Sequence, residues 1–109
     1  MEFSEYQELA KRTVNSDLSL RLHRANFALG LSESGELQDV VKKHLFHGHC
    51  YEETRKKIID EAGDVLWYLA GLCDAYDVGL DAVASYNIEK LKKRYPDGFS
   101  EEASRNRVE

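Results

Sequence analysis

Proline is nearly absent from this chain: the 109 residues contain one, Pro96, so helices can run without a break through most of the sequence. Apolar residues recur at spacings of three and four, and no segment alternates between apolar and polar positions as a strand does. Charged residues make up 32% of the chain, which is compatible with helices that have solvated faces. The sequence therefore predicts an all-α fold.

Four helices are predicted from this periodicity. The first opens at a capping box formed by Ser4 and Gln7. The second contains Gly30 and Gly35, each costing about 1 kcal/mol relative to alanine, so a bend is expected there. Gly48 marks the turn that follows. The helices are predicted to span residues 5–12, 18–46, 52–76 and 81–94.

Short connections between these helices favour a four-helix-bundle-like domain over residues 1–99, followed by a frayed polar tail over residues 100–109. The third helix carries Ile59, Leu66 and Trp67 on the side away from its main apolar stripe. A helix that is apolar on most of its circumference is normally buried on most of it. One small copy of the bundle cannot cover that surface, so we expect a homo-oligomer, either a dimer or a tetramer.

Charge and composition exclude several classes of protein. Fifteen basic residues stand against 20 acidic ones, giving a net charge of -5, which argues against binding to a nucleic acid polymer. The longest nearly uncharged apolar run, residues 65–73, is far shorter than the roughly 20 residues of a membrane span, so no membrane association is expected. Two cysteines and a start unlike a secretion signal favour a cytoplasmic location.

Carboxylates occupy positions where the helical period calls for apolar residues. Glu33 and Glu36 lie within the apolar stripe of the second helix. Glu61 and Asp64, also three residues apart, flank the stripe of the third. Each pair projects from one helical face, and carboxylates facing a bundle are costly unless something positive compensates them. A compensating cation is therefore expected.

The two carboxylate pairs are predicted to lie at one height in the bundle. The second and third helices are joined by a short turn and should pack antiparallel. Glu33 with Asp64, and Glu36 with Glu61, are both centred on residue 48.5, beside the turn at Gly48. Four carboxylates at one level would make an oxygen-ligand site suited to Mg²⁺, with Mn²⁺ as the alternative ion.

Other metals fit the sequence less well. Ferritin-like di-iron bundles use Glu-x-x-His, whereas Glu36 and Asp64 stand where that motif has histidine, which disfavours redox iron. A second group has zinc-type side chains, but its spacing matches none of the usual zinc patterns, so capping of the turn is the favoured interpretation. This group consists of His44, His47, His49 and Cys50.

The combined motif is specific enough to suggest a family. Glu33-x-x-Glu36, then 24 residues, then Glu61-x-x-Asp64 resembles the signature of the MazG-like all-α nucleoside triphosphate pyrophosphohydrolases. The run that begins at Glu61-Ala-Gly-Asp64, the segment 87–99 and the opening Glu5-Tyr6-Gln7 are also similar to family sequence. The resemblance covers about residues 5–99.

This resemblance implies an enzyme that hydrolyses a (d)NTP between the α and β phosphates, giving the (d)NMP and pyrophosphate, in nucleotide-pool housecleaning. It implies that Mg²⁺ is held by Glu33, Glu36, Glu61 and Asp64. Some relatives carry a further carboxylate just before the first motif glutamate, where this chain has Ser32. Either Glu33 or Glu36 then serves as the catalytic base on a metal-bound water, and the choice stays open.

Side chains that bind the substrate phosphates are predicted on the last helix. Asn87, Lys90 and Arg94 share one face at three- and four-residue spacing, which suits phosphate binding. Lys43 is a further candidate. Neighbouring Lys92 and Lys93 are interpreted as a solvated basic face near a helix C-terminus.

Three alternatives to this function remain open at the level of sequence. One is a catalytically silent helical oligomeric interaction module, and another is a metal-binding protein without hydrolysis. The third is an enzyme with phosphoribosyl-ATP pyrophosphohydrolase-like activity. The preferred base and sugar of the nucleoside triphosphate substrate are also left open.

Overall fold

The computed structural model describes residues 1–106, and helices account for all of the regular secondary structure in that part of the chain apart from one isolated bridge between Pro96 and Gly98. The prediction of an all-α fold is confirmed. In the described residues no helix combines the length and apolarity that crossing a membrane requires. The elements are α1 Phe3–Lys11, α2 Leu20–Gly30, a 3-10 turn Leu31–Glu33, α3 Ser34–Phe46, α4 Tyr51–Ala75, α5 Leu80–Arg94 and α6 Glu101–Arg105.

The predicted second helix is two α-helices joined by the 3-10 turn, and the change occurs directly after Gly30, where a bend was expected. The turn predicted at Gly48 is also present. Its φ of 74° lies in the left-handed region, which glycine adopts at little cost. This sharp reversal returns the chain as α4, which packs against α3.

The capping box predicted at Ser4 and Gln7 is wrong. Helix α1 begins earlier, with Glu2 at its N-cap and no side-chain capping hydrogen bond. The Gln7 amide is instead used for tertiary contacts: its Nε2 donates to the Val78 carbonyl at 3.2 Å, and its Oε1 accepts from the Leu80 amide at 2.8 Å. Gln7 thus ties α1 to the first residue of α5.

Helix α4 is the centre of the fold, with α1, α2 and α3 packed against it. Glycines allow α2 and α4 to approach closely. The ring of Phe27 on α2 occupies the space where a Cβ of Gly71 would lie, and the ring of Tyr68 on α4 does the same at Gly30. The two helices therefore interlock through two aromatic rings and two glycines.

The expectation of a frayed segment after residue 99 is wrong for residues 101–105. That stretch forms α6, which is capped by the Ser100 hydroxyl accepting from the Ala103 amide at 3.0 Å. A polar sequence can hold one turn of helix when its first amide groups are capped in this way. The predicted tail also includes residues 107–109, which lie outside the described residues.

Few side chains are buried in the single chain. Within residues 1–106 the buried apolar side chains are Phe27, Ala70 and Leu80. The radius of gyration is 17.2 Å, against about 13 Å for a compact domain of this length. Helix α5 packs mainly against α1, and much apolar surface stays exposed. We call this the uncovered apolar surface: Leu29, Leu45, Phe46, Ile59, Tyr86 and Ile88.

Candidate active site

Three carboxylates converge between the 3-10 turn and α4. One oxygen each from Glu33, Glu61 and Asp64 can be chosen so that all lie within 4.8 Å of one another. Glu33 and Glu61 are half-buried, and Asp64 is exposed. In the part of the chain that the structure describes, no other group of histidine, cysteine or acidic residues is arranged this way. We call these three residues the acidic cluster.

Local structure explains this convergence. Glu61 and Asp64 are separated by nearly one turn of α4 and project to the same side. Glu33 ends the 3-10 turn, which also contacts α4. Because α3 and α4 are joined by a tight turn at Gly48, Glu33 reaches the height of Asp64, as their spacing predicts.

Glu36 lies beside the acidic cluster without belonging to it. It is in the first turn of α3 and is exposed to solvent. Its charge nevertheless helps to raise the pKa of Glu61. Glu36 therefore interacts electrostatically with Glu61, although its oxygens do not belong to the group that lies within 4.8 Å.

The surroundings of Glu61 disfavour the ionised form of its carboxyl group. Loss of solvent raises the pKa of this carboxyl above its ordinary value, and the neighbouring charges of Asp60, Asp64, Glu36 and Glu33 raise it further. A cation placed among these oxygens would remove that repulsion. The donor set consists of carboxylates alone, which is the ligand chemistry of Mg²⁺ and Mn²⁺ rather than of zinc.

Tyr6 marks the edge of the site toward α1. It is partly buried, and its pKa is raised first by burial and then by the charge of Asp64. Helix α1 therefore borders the acidic cluster. Sequence reasoning missed this residue, because nothing in the spacing of the first helix indicates which element of the fold it will face.

The predicted phosphate-binding residues lie on α3 and α5. Lys43 is paired with Asp39 on its own helix at 2.8 Å, and their hydrogen bond lowers the pKa of Asp39. The charges that shift the pKa of Glu61 are all acidic, so no lysine or arginine is among them. The other three residues, Asn87, Lys90 and Arg94, belong to α5, which packs mainly against α1.

The side chain of His44 contributes to the structure of the turn. The His44 ring nitrogen Nδ1 is hydrogen-bonded to the His49 carbonyl at 2.9 Å. The aromatic ring of Tyr51, at the start of α4, lies 6.1 Å from the His44 ring. No zinc-like grouping of these side chains occurs among residues 1–106.

A cavity of about 410 Å³ lies between α1, α2 and α4. Trp67, nearly one turn beyond Asp64 on α4, forms part of its wall. The Trp67 indole N–H donates to the Thr13 hydroxyl at 2.8 Å, and its ring packs on Phe27 with centroids 5.3 Å apart. Trp67 therefore packs against Phe27 and also lines the cavity.

Comparison with known proteins matches this chain to a family model and to a phage protein. The family model described as the MazG nucleotide pyrophosphohydrolase domain matches residues 21–99. The Gene 37 protein of Mycobacterium phage L5 is 37% identical over 79 residues, which cover 71% of this chain and 69% of that protein. No solved structure matches this chain significantly. The matched region contains the whole acidic cluster and Glu36.

Proposed function

This chain belongs to the MazG nucleotide pyrophosphohydrolase family, and from that premise we propose that it hydrolyses nucleoside triphosphates to monophosphate and pyrophosphate with Mg²⁺. The observation that carries the proposal is the convergence of the Glu33, Glu61 and Asp64 oxygens inside the matched region. A negatively charged protein can recruit a polyanionic substrate when a divalent cation is held between the two.

The carboxylates of Glu33, Glu61 and Asp64 would hold the metal, and Glu36, whose charge contributes to the raised pKa of Glu61, would complete the set. The chemistry that Mg²⁺ supplies in such a site is neutralisation of phosphate charge and a lower pKa of a coordinated water. Mn²⁺ has the same preference for oxygen ligands and is expected to substitute.

One of the two glutamates on the α3 side, Glu33 or Glu36, is proposed as the catalytic base. Hydrolysis between the α and β phosphates consumes one water, whose hydroxyl remains on a phosphate while its proton must leave. Glu36 is exposed to solvent, so a proton that it accepts can pass on to bulk water. This chain has Ser32 where some relatives have a further carboxylate, which leaves the task to these two.

Asn87, Lys90, Arg94 and Lys43 are proposed to bind the substrate phosphates. In the single chain α5 packs mainly against α1, so we place its three residues at a partner subunit's site in a homo-oligomer. A dimer or tetramer would also bury the uncovered apolar surface, whose members include Phe46, 79% exposed, and Ile59, 72% exposed.

Product analysis tests this function. The purified protein is incubated with a panel of NTPs and dNTPs and Mg²⁺, and products are separated by anion-exchange chromatography. We expect monophosphate and pyrophosphate in equal amounts, with Glu61→Gln losing at least about a hundredfold in rate. The matched control is Glu53→Gln, an exposed glutamate two turns earlier on α4, which should keep full activity.

Other results would contradict the proposal in distinct ways. Orthophosphate as the product would indicate a phosphatase. Absence of turnover with an intact oligomer would favour a catalytically silent interaction module, and Mn²⁺ binding without turnover would favour a metal-binding protein. Housecleaning of the nucleotide pool is proposed as the biological role, and a preference for damaged or non-standard triphosphates in the same panel would support it.

A further inference from the structure

The cavity between α1, α2 and α4 begins at Trp67, three residues beyond Asp64 of the acidic cluster on α4. Helix α4 carries Asp64 at the cluster and Trp67, Ala70 and Gly71 at the cavity wall. At 1.5 Å per residue, Gly71 lies about 10 Å beyond Asp64 along the helix, which is comparable to the length of a nucleoside. The pKa of Tyr6 on α1 is raised first by burial and then by the charge of Asp64, so α1 lies near the acidic cluster as well as along the cavity.

The walls of the cavity suit a flat aromatic ring. Trp67 and Phe27 lie 5.3 Å apart on adjacent helices, and His23 is stacked on Phe27 with ring centroids 6.0 Å apart and planes 18° apart. Aromatic side chains bind other rings by offset stacking or edge contacts. Ligand sites typically combine such apolar walls with a few polar groups that fix orientation.

The polar groups of the cavity include a paired donor and acceptor. Lys11 on α1 and Asp74 on α4 both line it, and their Nζ and Oδ2 atoms are 3.7 Å apart. Both side chains keep substantial solvent exposure, 61% and 41%. A partly exposed pair of this kind contributes little to stability, so both groups are available to a ligand at small cost.

We propose that this cavity binds the base of the nucleotide substrate and that the Lys11–Asp74 pair selects guanine. The inference rests on the proposed function, in which the triphosphate is held at the acidic cluster. Guanine presents O6 as an acceptor beside two N–H donors, at N1 and N2. The Lys11 ammonium is a donor for O6, and the two oxygens of Asp74 accept from N1 and N2.

The other bases match this pair less well. Adenine and cytosine present an amino group beside an unprotonated ring nitrogen, which a carboxylate would repel. Uracil and thymine present one ring N–H, so only one Asp74 oxygen is used. Each well-formed bidentate pair typically discriminates by tenfold or more, and we expect guanine nucleotides to bind about tenfold more tightly than the other three.

Trp67 makes the test direct, because it is the only tryptophan in the sequence. GMP, AMP, CMP and UMP are titrated into the full-length protein in the presence of a chelator, and Trp67 fluorescence is recorded. We expect saturable quenching, with GMP giving the lowest dissociation constant. No metal or hydrolysis is needed, so failure of the proposed enzymatic function would leave this measurement unaffected.

Variants separate the cavity from general effects. Asp74→Asn should weaken GMP binding about tenfold and remove the preference for guanine, because one acceptor becomes a donor. Asp97→Asn, an exposed aspartate outside the cavity wall, is the matched control and should bind as the wild type does. Ala10→Leu, on the α1 wall, should weaken binding of all four monophosphates by filling the space.

Three outcomes would overturn the proposal. One is the absence of any saturable change in Trp67 fluorescence at about millimolar monophosphate. Another is equal affinity for the four bases. The third is an Asp74→Asn protein, folded by circular dichroism, that keeps the wild-type preference. If triphosphate hydrolysis were observed together with any of these, the enzymatic function would stand and the base site would not.

Discussion

The position of Glu61 is unfavourable for an ionised carboxyl group in the metal-free chain. Its carboxyl is half-buried, and its neighbours on α4 and α3 are acidic, so its pKa is raised in the folded chain. The pKa of this carboxyl is higher in the folded chain than in the unfolded chain, so its protonated form favours folding. This contribution is fully present below the unfolded pKa and is lost as pH rises through the folded pKa. At neutral pH, without a metal ion, the ionised Glu61 carboxylate is therefore repelled by its acidic neighbours.

Glu61→Gln should remove that repulsion. In a chelator at neutral pH, we expect the variant to melt at or above the temperature of the wild type, as measured by circular dichroism. The difference should shrink as pH is lowered toward about 4, where the wild-type carboxyl becomes neutral as well. Added Mg²⁺ should raise the melting temperature of the wild type and have little effect on the variant, because a ligand that binds the native state stabilises it.

The control for this prediction is again Glu53→Gln, which removes a carboxylate from the same helix away from the acidic cluster. It should respond to Mg²⁺ as the wild type does. A metal-free Glu61→Gln protein that melts far below the wild type would contradict the clustered arrangement, since it would mean that the carboxylate makes a favourable contact.

At the scale of elements, the glycines of α2 and α4 determine how closely these helices pack. Phe27 and Tyr68 each occupy the space that a side chain would need at the glycine opposite. Gly63, on the same helix as Gly71, has no atom within 4 Å of the position of its missing Cβ. Two glycines in one helix therefore have different physical roles, although their helix propensities are the same.

Gly71→Ala and Gly63→Ala should consequently have opposite effects. At Gly71 the new methyl group meets the Phe27 ring, and overpacking of this kind costs about 1–3 kcal/mol, more than the gain of up to about 1 kcal/mol in helix propensity. At Gly63 only the gain remains. Urea unfolding followed by circular dichroism measures both, and equal effects at the two sites would contradict the interlocked packing.

At the scale of the whole molecule, the single chain is extended and leaves much apolar surface exposed. The radius of gyration of 17.2 Å exceeds that of a compact domain of about 13 Å, and large apolar side chains stay exposed on α3, α4 and α5. Apolar surface that remains exposed in a single chain often serves protein association. A second copy is the partner that the sequence predicts.

Ile59→Lys should break this association. Ile59 is 72% exposed in the single chain, so the substitution leaves internal packing intact while placing a charge in the expected interface. Sedimentation equilibrium should show a dimer or tetramer for the wild type and smaller species for the variant. Glu53→Lys, on another face of α4, is the charge control and should keep the wild-type assembly. A monomeric wild-type protein would contradict the prediction.

Much of this architecture follows from local rules. The lack of proline before Pro96 and the spacing of three and four predict the helices, whose ends agree within two residues for α1, α4 and α5. The antiparallel turn at Gly48 brings Glu33 to the height of Asp64, since helical rise is nearly constant. These properties depend on periodicity and chain reversal, which the order of residues determines by itself.

Other properties depend on contacts between distant parts of the chain. Local sequence does not show that Gln7 joins α1 to α5, because its partners, Val78 and Leu80, lie some 70 residues away. Glu36 is exposed, although its spacing in the sequence predicts a place in the apolar stripe. The cavity beside Trp67 exists because three helices meet at particular angles. The sequence by itself determined the helices and the level of the carboxylates, whereas tertiary packing decided which side chains share a site, because rotation and tilt are set only when helices meet.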